Sequence, residues 1–109
     1  MKITLCGSTK FKTTFEVANM ELTMKGHLVY SCACFNHFDN EELTEEQKQH
    51  LDRVHFMKIM ESDAILVLNV HNYVGESTRN EMAWAKLLGK EIYMLSTIGN
   101  SYNLPLTLK

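Results

Sequence analysis

In the stretch VGESTRNEMAWAKLLGK (Val74 to Lys90), Thr78 and Glu81 stand three residues apart, a spacing that supports two kinds of chemistry. Thr-x-x-Glu opening a helix is a capping box: the Thr78 hydroxyl accepts from the Glu81 amide, and the Glu81 carboxylate reaches back to Thr78. A Gly-led turn that delivers a carboxylate into the first turn of a helix, just beyond a hydrophobic strand, is also how an α/β protein presents an acid to a bound ligand. The two roles are compatible, since a helix N-terminus favours an anion that can still face outward.

A second polar cluster lies near the start, in GSTK. Gly7 permits close backbone approach, Ser8 and Thr9 bring hydroxyls, Lys10 brings a point charge, and a helix following them offers free amides; together they suit a phosphate or another anion. The alternative is a polar turn with Ser8 or Thr9 as N-cap. Neither the Walker pattern nor the three-glycine dinucleotide fingerprint is present. Cys32, Cys34 and His37 in CACFNH lack a fourth ligand at a recognisable spacing, so no metal site is expected, and no cofactor.

The elements that must position these groups follow from periodicity. KITLC (Lys2 to Cys6) reads as a buried strand stopped by Gly7, and Phe11, Phe15, Ala18 and Leu22 recur at helical spacing until Gly26. HLVYSC (His27 to Cys32) reads as a second strand, followed by a loop through Asn36, Asp39 and Asn40. Thr44-Glu45-Glu46-Gln47 then opens a helix that runs to about Glu61. AILVLNV (Ala64 to Val70) is the most hydrophobic strand. After the loop HNYVGES come a helix from about Thr78 to Leu88, Gly89 as its terminator, and a fourth strand, EIYML. The order βαβαβαβ predicts a single flavodoxin- or Rossmann-like three-layer α/β domain with a parallel sheet of four to five strands. The loops GSTK, CFNHFDN and HNYVGEST then share one edge of the sheet, where such folds bind ligands. Residues 97–109, with the only proline, Pro105, read as a C-terminal tail.

At 109 residues, 45% hydrophobic and 22% charged, the chain is sized for one domain spanning 1–109. A net charge of −2 supplies no basic field for a nucleic acid polymer, so a small molecule is the expected partner. No apolar run reaches membrane-spanning length, and the three cysteines fit free thiols in a reducing compartment; a cytoplasmic protein with no membrane partner is expected. The apolar helix faces of so small a sheet predict a homodimer with sites near the interface.

ITLCGSTK, SDAILVLN and YVGESTRNEMAWAKLLGKEIYML together resemble the nucleoside 2-deoxyribosyltransferase-like superfamily, which includes the deoxynucleoside 5′-monophosphate N-glycosidases. The resemblance runs from Ile3 to about Leu95, and Gly75, Glu81, Ala85, Gly89 and Lys90 match its most specific pattern. It implies that Glu81 attacks the anomeric carbon of a sugar, and that Ser8 and Lys10 contact the 5′ end or its phosphate. Family members commonly carry an Asp eight residues ahead of the position of Asp63, where this chain has His55. That residue is either a half-buried histidine on the ridge of Leu51 and Ile59 or a hydrogen-bond partner of the leaving base or of the Glu81 carboxylate. Tyr73 either closes over a base or sugar or is an ordinary aromatic at a loop mouth. The family transferases are also longer than this chain, so the resemblance leads to the expectation that base-recognition elements are missing or supplied by a neighbouring subunit. Glu81 and His55 are thus the candidate catalytic residues, with Gly7, Ser8, Thr9, Lys10, Tyr73, Gly75, Ser77 and Thr78 as candidate binding residues. The expected activity is cleavage or base exchange at the N-glycosidic bond of a nucleoside or nucleotide; the alternative is a non-catalytic nucleotide-binding or sensing module of the same fold.

Overall fold

The structure, a computed structural model, describes residues 1–33 and 43–98. The loop CFNHFDN, with Cys34 and His37, and most of the tail including Pro105 lie outside the described residues. Four strands, β1 (Lys2–Cys6), β2 (Leu28–Tyr30), β3 (Ala64–Val67) and β4 (Glu91–Met94), form one parallel sheet in the order β2-β1-β3-β4. Helices α1 (Lys12–Met24), α2 (Glu45–Glu61) and α3 (Glu76–Leu87) provide the crossovers, and a short α4 (Leu95–Ile98) follows β4. The Rossmann-like α/β architecture expected from the sequence is the one observed.

Right-handed crossovers decide which face each helix covers. From β1 the chain steps outward to β2 through α1, then reverses over β1 to reach β3 and β4, so α1 lies on one face and α2 and α3 on the other. Strand alternation matches this division. Ile3, Leu5, Leu66 and Leu68 pack with Phe15, Ala18 and Leu22 of α1, whereas Cys6, Ile65 and Val67 pack with Ile59 of α2 and Ala85 of α3. Thr4 is a fully buried polar residue on the second face; its hydroxyl lies 2.5 Å from Ser62 Oγ, which donates to the Lys58 carbonyl, so the end of α2 is pinned to β1.

β1 matches its expected run, whereas β2, β3 and β4 are shorter than the runs His27–Cys32, Ala64–Val70 and Glu91–Leu95. β3 stops at Val67, and two residues on, the Asn69 side chain ties the loop to α4: Nδ2 donates to Ser96 Oγ at 2.8 Å and Oδ1 accepts from the Ser96 backbone amide at 2.9 Å. A single 3-10 turn, Val70–Asn72, follows, with His71 and Asn72 at positive φ. Gly26 and Gly89, both at positive φ, follow α1 and α3, the positions at which glycine ends a helix most readily.

Candidate active site

The order of strands reverses between β1 and β3, and the loops leaving their carboxyl ends border a cavity of about 610 Å³. Gly7 turns the chain away from β1 directly against β3. A Cβ there would stand 3.3 Å from both the Leu68 Cβ and the Leu68 carbonyl oxygen, so any larger residue requires the loop or β3 to yield slightly. Ser8 caps the 3-10 turn Thr9–Phe11 by accepting from the Lys10 amide at 3.3 Å. Gly7, Ser8 and Thr9 all line the cavity. Lys10 does not: its Nζ sits 3.5 Å from the ring centroid of Tyr73 and 5.2 Å from that of Phe11.

The capping box expected at Thr78 and Glu81 is absent. Gly75, in extended backbone at φ −76° and ψ 173°, is the N-cap, and α3 begins at Glu76, two residues earlier than the sequence implied. Thr78 is therefore inside the helix and 3% exposed, while Glu81 lies in the second turn, beyond reach of the terminal amides. What holds the Glu81 carboxylate is His55 of α2, whose Nε2 is 2.9 Å from Oε1. The two side chains are 16% and 14% exposed and both border the cavity. Phe56 and Trp84, edge to face with centroids 5.7 Å apart, lock α2 against α3 beside this pair.

Beneath the pair lies Cys6, the last residue of β1, with Sγ 3.7 Å from His55 Nε2. Burial, reinforced by the charge and hydrogen bonding of Glu81 and by Cys32, holds this thiol well above its ordinary pKa, so it is a neutral group and not a nucleophile. The tautomer of His55 with its proton on Nε2 fits the geometry, because Nε2 then donates to Oε1. Nδ1 is buried without a hydrogen-bond partner among the described residues.

Of the expected site residues, Tyr73, Gly75, Ser77 and Thr78 line the cavity with Glu81, and Gly7, Ser8 and Thr9 complete its wall. Three further groups of α2 face it: Lys48, Asp52 and Lys58. They share the helical ridge of His55 at spacings of four, three and three residues, a pattern legible in the sequence once one member of the ridge is placed at the site. Lys58 also donates to the Ser31 carbonyl at 2.7 Å, fixing the chain just beyond β2. Cys6 gave no such signal, since a strand-end cysteine is ordinarily just buried.

No family model matches the chain, nor does any curated protein. Among solved structures, the chain is similar to the CMP N-glycosidase BcmB of Clostridium botulinum, with a TM-score of 0.60 and 22% identity over 86% of this chain and 70% of that one. At that identity the likeness shows the fold. In the described residues no helix is long and apolar enough to cross a membrane.

Proposed function

We propose that the chain cleaves, or exchanges the base at, the N-glycosidic bond of a nucleoside or nucleotide, with Glu81 as nucleophile. The observation that carries this reading is a carboxylate held at 2.9 Å by a histidine, in the wall of a cavity at the carboxyl ends of β1 and β3. The fold shared with a CMP N-glycosidase supports it. N-glycosidic cleavage passes through an oxocarbenium-like state, which a carboxylate beneath the ring stabilises by charge and traps as a glycosyl ester. The C–N bond breaks as the base leaves with its electron pair and takes up a proton from solvent, which the attacking water or second base later returns. Water, or a second base, then displaces the carboxylate and returns Glu81 to its starting form. His55 is a positioning residue in this scheme: it fixes which carboxylate oxygen is engaged and leaves the other for the sugar. A homodimer belongs to the same reading, with Met20, Met24 and Leu87 among the exposed apolar side chains of the helices.

Incubation with a panel of deoxynucleosides, ribonucleosides and their 5′-monophosphates, followed by chromatography for free base, tests the proposal. Base release from at least one member is expected, with monophosphates favoured by the Gly7–Thr9 loop. Saturable binding without release would transfer the chain to the non-catalytic module.

A further inference from the structure

Three unlike ligand atoms meet beside the cavity, one from each of β1, α2 and α3, with His55 and Glu81 lining it and Cys6 buried behind them. Cys6 Sγ, a His55 ring nitrogen and a Glu81 carboxylate oxygen all lie within 4.8 Å of one another, with Nε2 to Oε1 at 2.9 Å and Nε2 to Sγ at 3.7 Å. A tetrahedral zinc ion with bonds of about 2.0 to 2.3 Å needs ligand pairs about 3.3 to 3.6 Å apart, so the Nε2–Sγ pair is already near that spacing, while the Glu81 oxygen must draw back from Nε2 by roughly half an ångström to admit the ion. We propose that Cys6, His55 and Glu81 form a binding site for a thiophilic divalent cation of the zinc class, with the fourth coordination position open to the cavity.

The donor set selects the ion. One sulfur, one imidazole nitrogen and one carboxylate oxygen suit zinc and disfavour magnesium or calcium, which take oxygen ligands. Binding replaces one proton: the Cys6 thiol releases its proton to solvent as the S–metal bond forms. The His55 ring moves its proton from Nε2 to Nδ1, which frees the Nε2 lone pair for the metal. Among the described residues Nδ1 has no hydrogen bond that this shift must break. The ion occupies the coordinated Glu81 oxygen, so occupancy and a ligand contact to that oxygen exclude one another. The site stands on its own geometry and does not rest on the glycosidic reading.

Cobalt(II) serves as the spectroscopic probe, since its bond to a thiolate gives a near-ultraviolet charge-transfer band and tetrahedral coordination gives intense visible bands. The full chain is titrated with cobalt(II) under reducing, anaerobic conditions and then with zinc against a chromophoric chelator. One equivalent of metal, a charge-transfer band and release of about one proton per ion are expected. The double variant Cys32→Ser/Cys34→Ser should keep the band and Cys6→Ser should lose it, while His55→Ala and Glu81→Gln should weaken zinc by roughly tenfold or more. Absence of a one-to-one complex in the wild type, or a band that survives Cys6→Ser or vanishes in the Cys32/Cys34 variant, would overturn the site. Both decisive arms use the wild type and the double variant, so misfolding of Cys6→Ser leaves the test intact.

Discussion

Thr44-x-x-Gln47 and Thr78-x-x-Glu81 carry the same sequence signature and reach opposite outcomes. At the first, Thr44 is extended at φ −68° and ψ 160°, its Oγ1 accepts from the Gln47 amide at 3.1 Å, and Gln47 Oε1 accepts from the Thr44 amide at 2.9 Å. That is a complete capping box in which both side chains serve the backbone. At the second, Gly75 takes the N-cap position, the helix starts before Thr78, and Glu81 is released from the backbone to meet His55. The motif permits a cap; the residue at which the chain turns helical decides whether one forms. A glycine N-cap without a side-chain bond leaves the helix start less well satisfied and a carboxylate free for a cavity.

The comparison is sharpened most by Glu81→Gln. An amide keeps the size and the capacity to accept from His55 but not the negative charge, so base release should fall on the order of a hundredfold or more with little change in melting or ligand affinity. Wild-type turnover in that variant, followed by the same chromatography, would end the nucleophile reading. His55→Leu, which removes the donor, comes next. Losing a hydrogen bond to a charged group is worth roughly 1.5 to 3 kcal/mol, which predicts a drop in kcat of about 10- to 100-fold with KM largely held. A KM effect alone would show that His55 binds ligand and does not orient Glu81.

Thr44→Ala addresses the other motif and should behave in the opposite way: about 1 kcal/mol less stable in urea unfolding, with base release per folded molecule unchanged. Loss of activity without loss of stability would erase the contrast between the two sites. The smallest effect concerns the thiol under Glu81. Its folded pKa is raised, so its contribution is fully present below the unfolded thiol value of about 8.5 and is lost as pH rises, because the unfolded chain sheds the proton while the native one retains it. Between pH 7.5 and 9.5 the wild type should therefore lose more stability than Cys6→Ala, by at most about 1.4 kcal/mol per pH unit. Equal slopes would show that burial and the neighbouring Glu81 carboxylate do not hold the Cys6 proton in the folded chain.

Much of the fold was legible because its cues are local. The largely apolar KITLC at Lys2–Cys6 and the unbroken apolar run at Ala64–Val67 announced buried strands, Thr44 and Gln47 announced a helix start, and Gly26 and Gly89 announced helix ends. Alternation of strands with helical stretches is enough to imply a parallel sheet, and the handedness of crossovers then settles which faces the helices cover. Glu81 and His55 could be singled out from sequence as candidates, and so could the loop from Gly7 to Thr9. What sequence could not supply was the relation between them. Cys6, His55 and Glu81 are separated by 49 and 26 residues, and only the packing of α2 and α3 on the face of β1 brings their polar atoms together. The same packing removed Thr78 to the interior, where its hydroxyl cannot cap α3, and turned Glu81 toward α2. Lys10 was drawn onto the Tyr73 ring, a contact between two loops that no spacing in the chain encodes. Sequence by itself determined the elements, because propensity, capping and apolar periodicity act over a few residues. Tertiary structure alone decided the partners of each polar group, because in a half-buried site those partners come from whichever distant elements the sheet stacks together.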